Sequence, residues 1–237
     1  MERSYRKISN PKGLVSFEVT IKQTDLWISA KRDLTNEARD LVFEVRAHLE
    51  SYILRHPRFR STLLPWQEDP FAPPLVREMI KAAQKLGVGP MACIAGAIAE
   101  KVGEGLLRWS DEVVVENGGD IYANTKRPLI VGLLPQKSDL SGLGLKIETS
   151  LMPLGICSSS ATIGHSYSEG SADLVTVLAK SACYADGAAT AICNIMKTPR
   201  DLNLLNEIAA RFEGIIGVVV ILGNTMGCWG NVKLIRL

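Results

Sequence analysis

Strand-like runs in this chain come in adjacent pairs, and its helical runs come in blocks between those pairs. Apolar alternation over residues 14–21 (Val15, Phe17, Val19, Ile21) is followed, after Gln23-Thr24-Asp25, by a second run at 26–30, the pattern of a hairpin. Runs at 112–116 and 121–123 flank Asn117-Gly118-Gly119-Asp120, a tight-turn signal. Runs at 129–134 and 143–147 read as another pair, and 174–179 as a single strand. Strands at 215–222 and 231–236 close the chain. A doubly wound parallel sheet needs a helix between successive strands, so this order disfavours it. It predicts an α+β fold of antiparallel sheets backed by helices, a strand pair, helices, strand pair unit duplicated in tandem (T-fold-like). Residues 1–237 read as a single domain with two similar halves, about 1–125 and 126–237.

The helices follow from period and punctuation. Residues 35–55 carry Ala38, Leu41, Val42, Val45, Leu49, Tyr52 and Ile53 as an apolar stripe, capped by Asp33 or Thr35 and ended by Pro57. The Pro-rich stretch 57–74 reads as an ordered loop that buries Phe59, Leu63, Leu64, Trp66 and Phe71. A second helix runs from Pro73 or Pro74 to Gly87, and a third from Pro90 to about Arg108. Residues 91–100, MACIAGAIAE, have no charge before Glu100, as expected of a buried helix whose small residues admit another backbone or a ligand. Residues 155–173 are rich in Gly and Ser and 181–196 in Ala; Thr198-Pro199-Arg200-Asp201 opens a last helix that ends at Gly214.

Composition removes several function classes. Lys plus Arg number 27 against 25 Asp plus Glu, a net charge of +2, which argues against a nucleic-acid binder. The uncharged runs 149–168 and 214–232 are interrupted by Ser, Gly, Asn and His, so no membrane span is expected. The opening MERSYRKISNPKG has no apolar stretch behind its charges, and the five dispersed cysteines read as reduced thiols, which points to the cytoplasm. The uncharged C-terminal strand region can pair within the chain or with a second copy in a homo-oligomer.

Asp186 and Thr190 stand four apart on a helix, about 6 Å along one face, where a carboxylate and a hydroxyl suit a hard cation such as Mg²⁺. Alternatively, Asp186 caps a helix that starts at Gly187 and Thr190 bonds back to the backbone. His165 lies among Ser and Gly, where it either meets a phosphate or shuttles a proton, or is a surface loop residue. The hydroxyls of Ser158, Ser159, Ser160 and Thr162 either reach a phosphate or line a polar turn. Gly118, Gly119 and Asp120 either let a ligand touch the backbone or merely turn a hairpin. A Ser–His hydrolase is disfavoured, since residues 164–168 are not G-x-S-x-G, and no Cys or His spacing suggests zinc.

The segments GVGPMACIAGAIAE (87–100), VVVENGGDIY (113–122), GICSSSATIGHS (155–166) and SACYADGAATAI (181–192), in that order, resemble the ApbE-like superfamily of FAD:protein FMN transferases, closest to a small cytoplasmic branch. The resemblance implies a flavin nucleotide (FAD or FMN) with Mg²⁺, and FMN transfer to a hydroxyl of an acceptor protein or hydrolysis of the FAD diphosphate. It implies Asp186 and Thr190 as metal ligands, with a backbone carbonyl near 93–95, and His165 as the catalytic residue. Gly89, Gly96, Asn117, Gly118, Gly119, Asp120, Ser158, Ser159, Ser160 and Thr162 are the implied cofactor-binding residues. The family's Lys-Gly is Ala95-Gly96 here, and its His-Asp-Pro is His165-Ser166-Tyr167. Flavin binding without cleavage, or an assembly role in which the glycines serve packing, are the alternatives.

Overall fold

The structure is a computed structural model and describes residues 11, 13–135, 140–160 and 170–237. The first hairpin is β1 (Val15–Ile21) with β2 (Thr24–Ala30). Its turn is one residue tighter than the sequence suggests: Ile21 pairs with Thr24, and Lys22 adopts φ 53°. Helices α1 (Thr35–Arg55), α2 (Pro74–Leu86) and α3 (Ile94–Leu106) follow, then β3 (Val113–Asn117) and β4 (Asp120–Asn124). Strands β5 (Leu129–Leu133) and β6 (Leu143–Ile147) precede β7 (Leu154–Ser159) and β8 (Leu174–Ala179). The chain ends with α4 (Ala182–Ile195), α5 (Leu205–Ala210), β9 (Ile215–Leu222), β10 (Thr225–Gly230) and β11 (Leu234–Arg236).

Eight strands make one antiparallel sheet in the order β1-β2-β3-β4-β7-β8-β9-β10, and β11-β6-β5 form a second. Two four-strand sets, each a strand pair, helices and a strand pair in chain order, thus join edge to edge where Ile121 faces Ile156 and Ala123 faces Leu154. Strand alternation divides the core in two. Val113, Val115, Tyr122, Cys157, Val175, Val177, Val218 and Val220 face the helices. Val114, Ala123, Ile156, Leu178, Val219 and Ile221 face Leu129, Leu133, Leu145 and Ile147 of the small sheet. The central strands of the long sheet are therefore covered by helices on one side and by the short sheet on the other. Among the described residues no single helix is long and apolar enough to cross a membrane.

Four local readings need correction. The pair at 129–133 and 143–147 belongs to the small sheet, and its place in the second four-strand set is taken by β7 and β8. The Gly-Ser composition of 155–160 conceals β7, which gets its hydrogen bonds from β4 and β8 rather than from local propensity. The C-terminal strand expected at 231–236 is the three-residue β11 in the small sheet, and β10 at Thr225–Gly230, not expected from the residues, ends the long sheet. In the Pro-rich loop Phe59 is buried, but Leu63 is exposed, Leu64 is 73% exposed and Phe71 97%. An edge-on cluster of Phe59 with Tyr52 (centroids 5.1 Å) and Trp66 (5.6 Å) anchors the loop, so the remaining apolar side chains are not needed in the core.

Helix ends follow their punctuation. Gly87 closes α2 in the left-handed region at φ 70°, and Pro90–Cys93 form a 3₁₀ turn that leads into α3. The cap expected of Asp33 or Thr35 is not formed as such: Leu34 stands at the N-cap without a side-chain cap bond, while Asp33 Oδ1 accepts from the N–H and hydroxyl of Thr35 at 2.9 and 2.6 Å. The capping box of Thr198 and Asp201 is formed, but it opens a 3₁₀ helix, Pro199–Leu204, with α5 adding only six residues.

Candidate functional site

α3 and α4 touch backbone to backbone at Gly96. A Cβ there would lie 2.2 Å from the Ala182 carbonyl oxygen and 2.8 Å from Asp186 Cβ. This contact brings the Asp186 carboxylate to the first turn of α3, where the Gly96 N–H donates to Oδ2 at 2.9 Å. Ser181 caps α4, its Oγ accepting from the Tyr184 N–H, so Asp186 sits more than a turn inside the helix and the reading of it as an N-cap falls. Thr190 follows one turn later and is 6% exposed. Glu100, one turn along α3 from Gly96, accepts from Ser181 Oγ at 2.8 Å and the Cys183 N–H at 2.9 Å. Burial raises its pKa, with those hydrogen bonds opposing. It fixes the register of α4 against α3, a role that sequence reading did not assign. Its only signal was a lone acid at the end of an uncharged helix.

The β3–β4 turn forms the next wall. Gly118 and Gly119 take φ of 70° and 113°, the paired left-handed conformation of a two-residue hairpin loop. A Cβ on Gly119 would meet nothing within 4 Å, so this backbone faces open space. Asn117 Nδ2 donates to the Ala95 carbonyl at 3.1 Å, tying the turn to the start of α3, and the Gly119 N–H donates to Glu116 Oε1. Asp120 Oδ1 accepts from the Ser158 N–H at 3.2 Å across the seam between β4 and β7.

The electrostatics of this cluster are unusual. Burial lifts the Asp120 pKa to about 7, opposed by the Ser158 and Cys157 hydrogen bonds and assisted by Glu116. Asp186 is pushed well above the ordinary carboxylate range, first by burial and then by the charge of Asp120. They are only 7% and 9% exposed, and among the described residues neither forms a salt bridge with a Lys, Arg or His. Burial likewise raises the Cys157 thiol, which donates to the Ala182 carbonyl at 3.3 Å. The Cys183 thiol is raised as well, by its hydrogen bond with Cys93 and then by burial. Neither is a nucleophile at neutral pH.

The remaining expected site residues divide. Gly89 abuts the loop, a Cβ there lying 2.0 Å from the Thr62 carbonyl oxygen, so like Gly96 its space is taken by protein. Ser158 Oγ pairs with Thr176 Oγ1 at 2.9 Å, and Ser159 and Ser160 are buried at the end of β7. Thr162 and His165 lie outside the described residues. Among the described residues no three or more His, Cys, Asp or Glu side chains are grouped to hold a metal. Asp186 and Thr190, one turn apart on α4, offer oxygen donors of the kind Mg²⁺ takes, which uses one or two carboxylates and completes its shell with phosphate and water oxygens. Two surface hollows, of about 210 and 300 Å³, lie instead along the Pro-rich loop at Asp69–Lys81 and Arg58–Gln67.

This arrangement defines an ApbE-like α+β protein. The apo form of Pseudomonas stutzeri flavinyl transferase ApbE matches with a TM-score of 0.58 over 91% of this chain and 94% of that one, at 15% identity. Flavin transferase ApbE from Vibrio cholerae matches at 0.54 over 94% and 98%, with 14% identity. At such identities the likeness is one of fold. The chain belongs to the family described as AbpE bacteria, whose model matches residues 6–213. Among its relatives are the UPF0280 proteins of Methanocaldococcus jannaschii, 37% identical over 90% of both chains, and of Methanothrix thermoacetophila, 39% identical over 84% of both.

Proposed function

We propose that the protein binds a flavin nucleotide, FAD foremost, where α3, α4 and the β3–β4 turn meet, and cleaves its diphosphate in a Mg²⁺-dependent step that passes FMN to a hydroxyl. The observation that carries this reading is the pair of buried carboxylates, Asp120 and Asp186, each with a raised pKa and no cationic side chain among the described residues. Two buried carboxyls that lack a counter-charge resist ionisation, and a cation bound beside them would restore their charged form. The fold shared with proteins named flavin transferases supports the choice of ligand.

Asp186 and Thr190 would hold Mg²⁺, which when bound withdraws charge from the diphosphate. Gly96 N–H fixes the Asp186 carboxylate, and Asn117 and Asp120 fix the Gly118-Gly119 backbone against α3 and β7. That exposed backbone offers the nucleotide a close approach. A hydroxyl oxygen from the acceptor protein or water attacks the FMN-side phosphorus, the P–O bond to the AMP phosphate breaks, and AMP leaves. His165, on sequence grounds, stabilises or protonates near the phosphoryl group.

The test incubates purified protein with FAD, with and without Mg²⁺, and separates FMN and AMP by chromatography. Turnover is expected only with Mg²⁺ and should be lost in Asp186→Asn. Wild-type FMN release by that variant overturns the metal role. Ala95-Gly96 in place of Lys-Gly favours a second reading, a flavin binder without cleavage, for which binding without AMP release is the signature.

A further inference from the structure

We propose that Ser159 Oγ is a ligand-contacting group of this site, a hydroxyl that donates a hydrogen bond to a phosphate oxygen of the bound nucleotide; this rests on the flavin-nucleotide reading above. Three consecutive serines end β7, and strand geometry separates them. Ser158 points away from the helices and is satisfied by Thr176. Ser159 shares the helix-facing row with Gly155 and Cys157, is 8% exposed, and its Oγ is buried with no hydrogen-bond partner among the described residues. Most buried side-chain hydroxyls are paired, so an orphan calls for an explanation.

The position of that row along α4 supplies one. At the start of β7, a Cβ on Gly155 would lie 2.4 Å from Ala182 Cα, and the Cys157 thiol reaches the Ala182 carbonyl. Beyond the end of β7, a Cβ on Gly170 would lie 1.7 Å from the Cys193 carbonyl oxygen, and the Ser171 N–H donates to the Met196 carbonyl at 2.8 Å. Ser159 pairs with Val175, between those two ends. It stands about 6.6 Å past Cys157, against about 5.4 Å for one turn of α4. The orphan hydroxyl is thereby bracketed beside the Asp186–Thr190 turn. Once ionised against a cation, the carboxylates there only accept hydrogen bonds, whereas a serine hydroxyl can donate to a phosphate oxygen.

The test compares FAD affinity in the presence of Mg²⁺, together with the melting temperature of the ligand-free protein, for wild type, Ser159→Ala, Ser159→Thr and Thr176→Val. Ser159→Ala should bind FAD about five- to tenfold more weakly, the worth of one hydrogen bond. Its ligand-free melting temperature should be unchanged or higher, because an unsatisfied buried group has been removed. Ser159→Thr should recover part of the affinity. Thr176→Val, which removes the partner of the Ser158 hydroxyl, should melt lower and bind FAD normally. Wild-type affinity in Ser159→Ala overturns the proposal and leaves a buried water as the partner of the hydroxyl. An equal loss for riboflavin, which has no phosphate, overturns it too. Failure of the wild-type protein to bind FAD at all would instead overturn the flavin reading.

Discussion

Glu112 and Asp120 are both buried carboxylates, and their partners shift them in opposite directions. Glu112 lies beside Lys31, accepts from the Lys126 N–H at 2.8 Å, and has a lowered pKa although burial opposes the shift. Asp120, with only uncharged donors, is raised. A folded pKa below the unfolded value means that Glu112 contributes stability above the ordinary Glu range, and that this contribution fades as pH falls through its folded pKa. Glu112→Gln should therefore cost about 1–3 kcal/mol at pH 7, with the gap to wild type closing in strong acid, as urea denaturation across pH would show. Thiol reactivity divides in the same way. Cys93, Cys157, Cys183 and Cys193 are buried and Cys228 is exposed, so brief alkylation of the native protein should label Cys228 alone by mass spectrometry.

Among elements, the glycines show how the site is spaced. Gly96 and Gly155 let α4 come down onto α3 and β7, while Gly119 serves a turn that faces open space. Gly96→Ala must push the Ala182 carbonyl or Asp186 aside and should cost about 1–3 kcal/mol or more, with Mg²⁺-dependent activity lost alongside. Gly119→Ala meets no atom and bears only its left-handed backbone, about 1–2 kcal/mol. Urea midpoints should rank the two variants in that order. Boundaries set by local chemistry were legible in the residues: the stripe of α1, the Pro and Gly ends of α2, the Asn-Gly-Gly-Asp turn. The strands β7 and β10 were not, since their Ser and Gly content has weak strand preference and their neighbours in the sheet impose the conformation. The Asp186–Thr190 spacing was legible for the same reason as the helices, a period of 3.6 residues. The Asp120–Ser158 hydrogen bond was not, because it depends on the register between β4 and β7.

At the scale of the whole molecule, the seam between β4 and β7 makes eight strands one sheet, with both faces covered over its central strands. Three of the four tryptophans, Trp27, Trp66 and Trp109, precede the seam, and Trp229 follows it. If the sheet unfolds as one unit, tryptophan fluorescence and far-ultraviolet circular dichroism should give coincident urea transitions. Amide exchange should be slowest in the central strands β4, β7 and β8, and faster at the edges β1 and β10.

The sequence by itself determined the element types apart from β7 and β10, an antiparallel α+β order and which polar residues were candidates, because periodicity, turn chemistry and caps act over a few residues. Tertiary structure alone decided that the two strand sets fuse, that Gly89 and Gly96 admit protein backbone, that Glu100 locks α4 against α3, and which of three adjacent serines faces that helix. Those outcomes depend on register and close approach between segments dozens of residues apart, and no local preference encodes them.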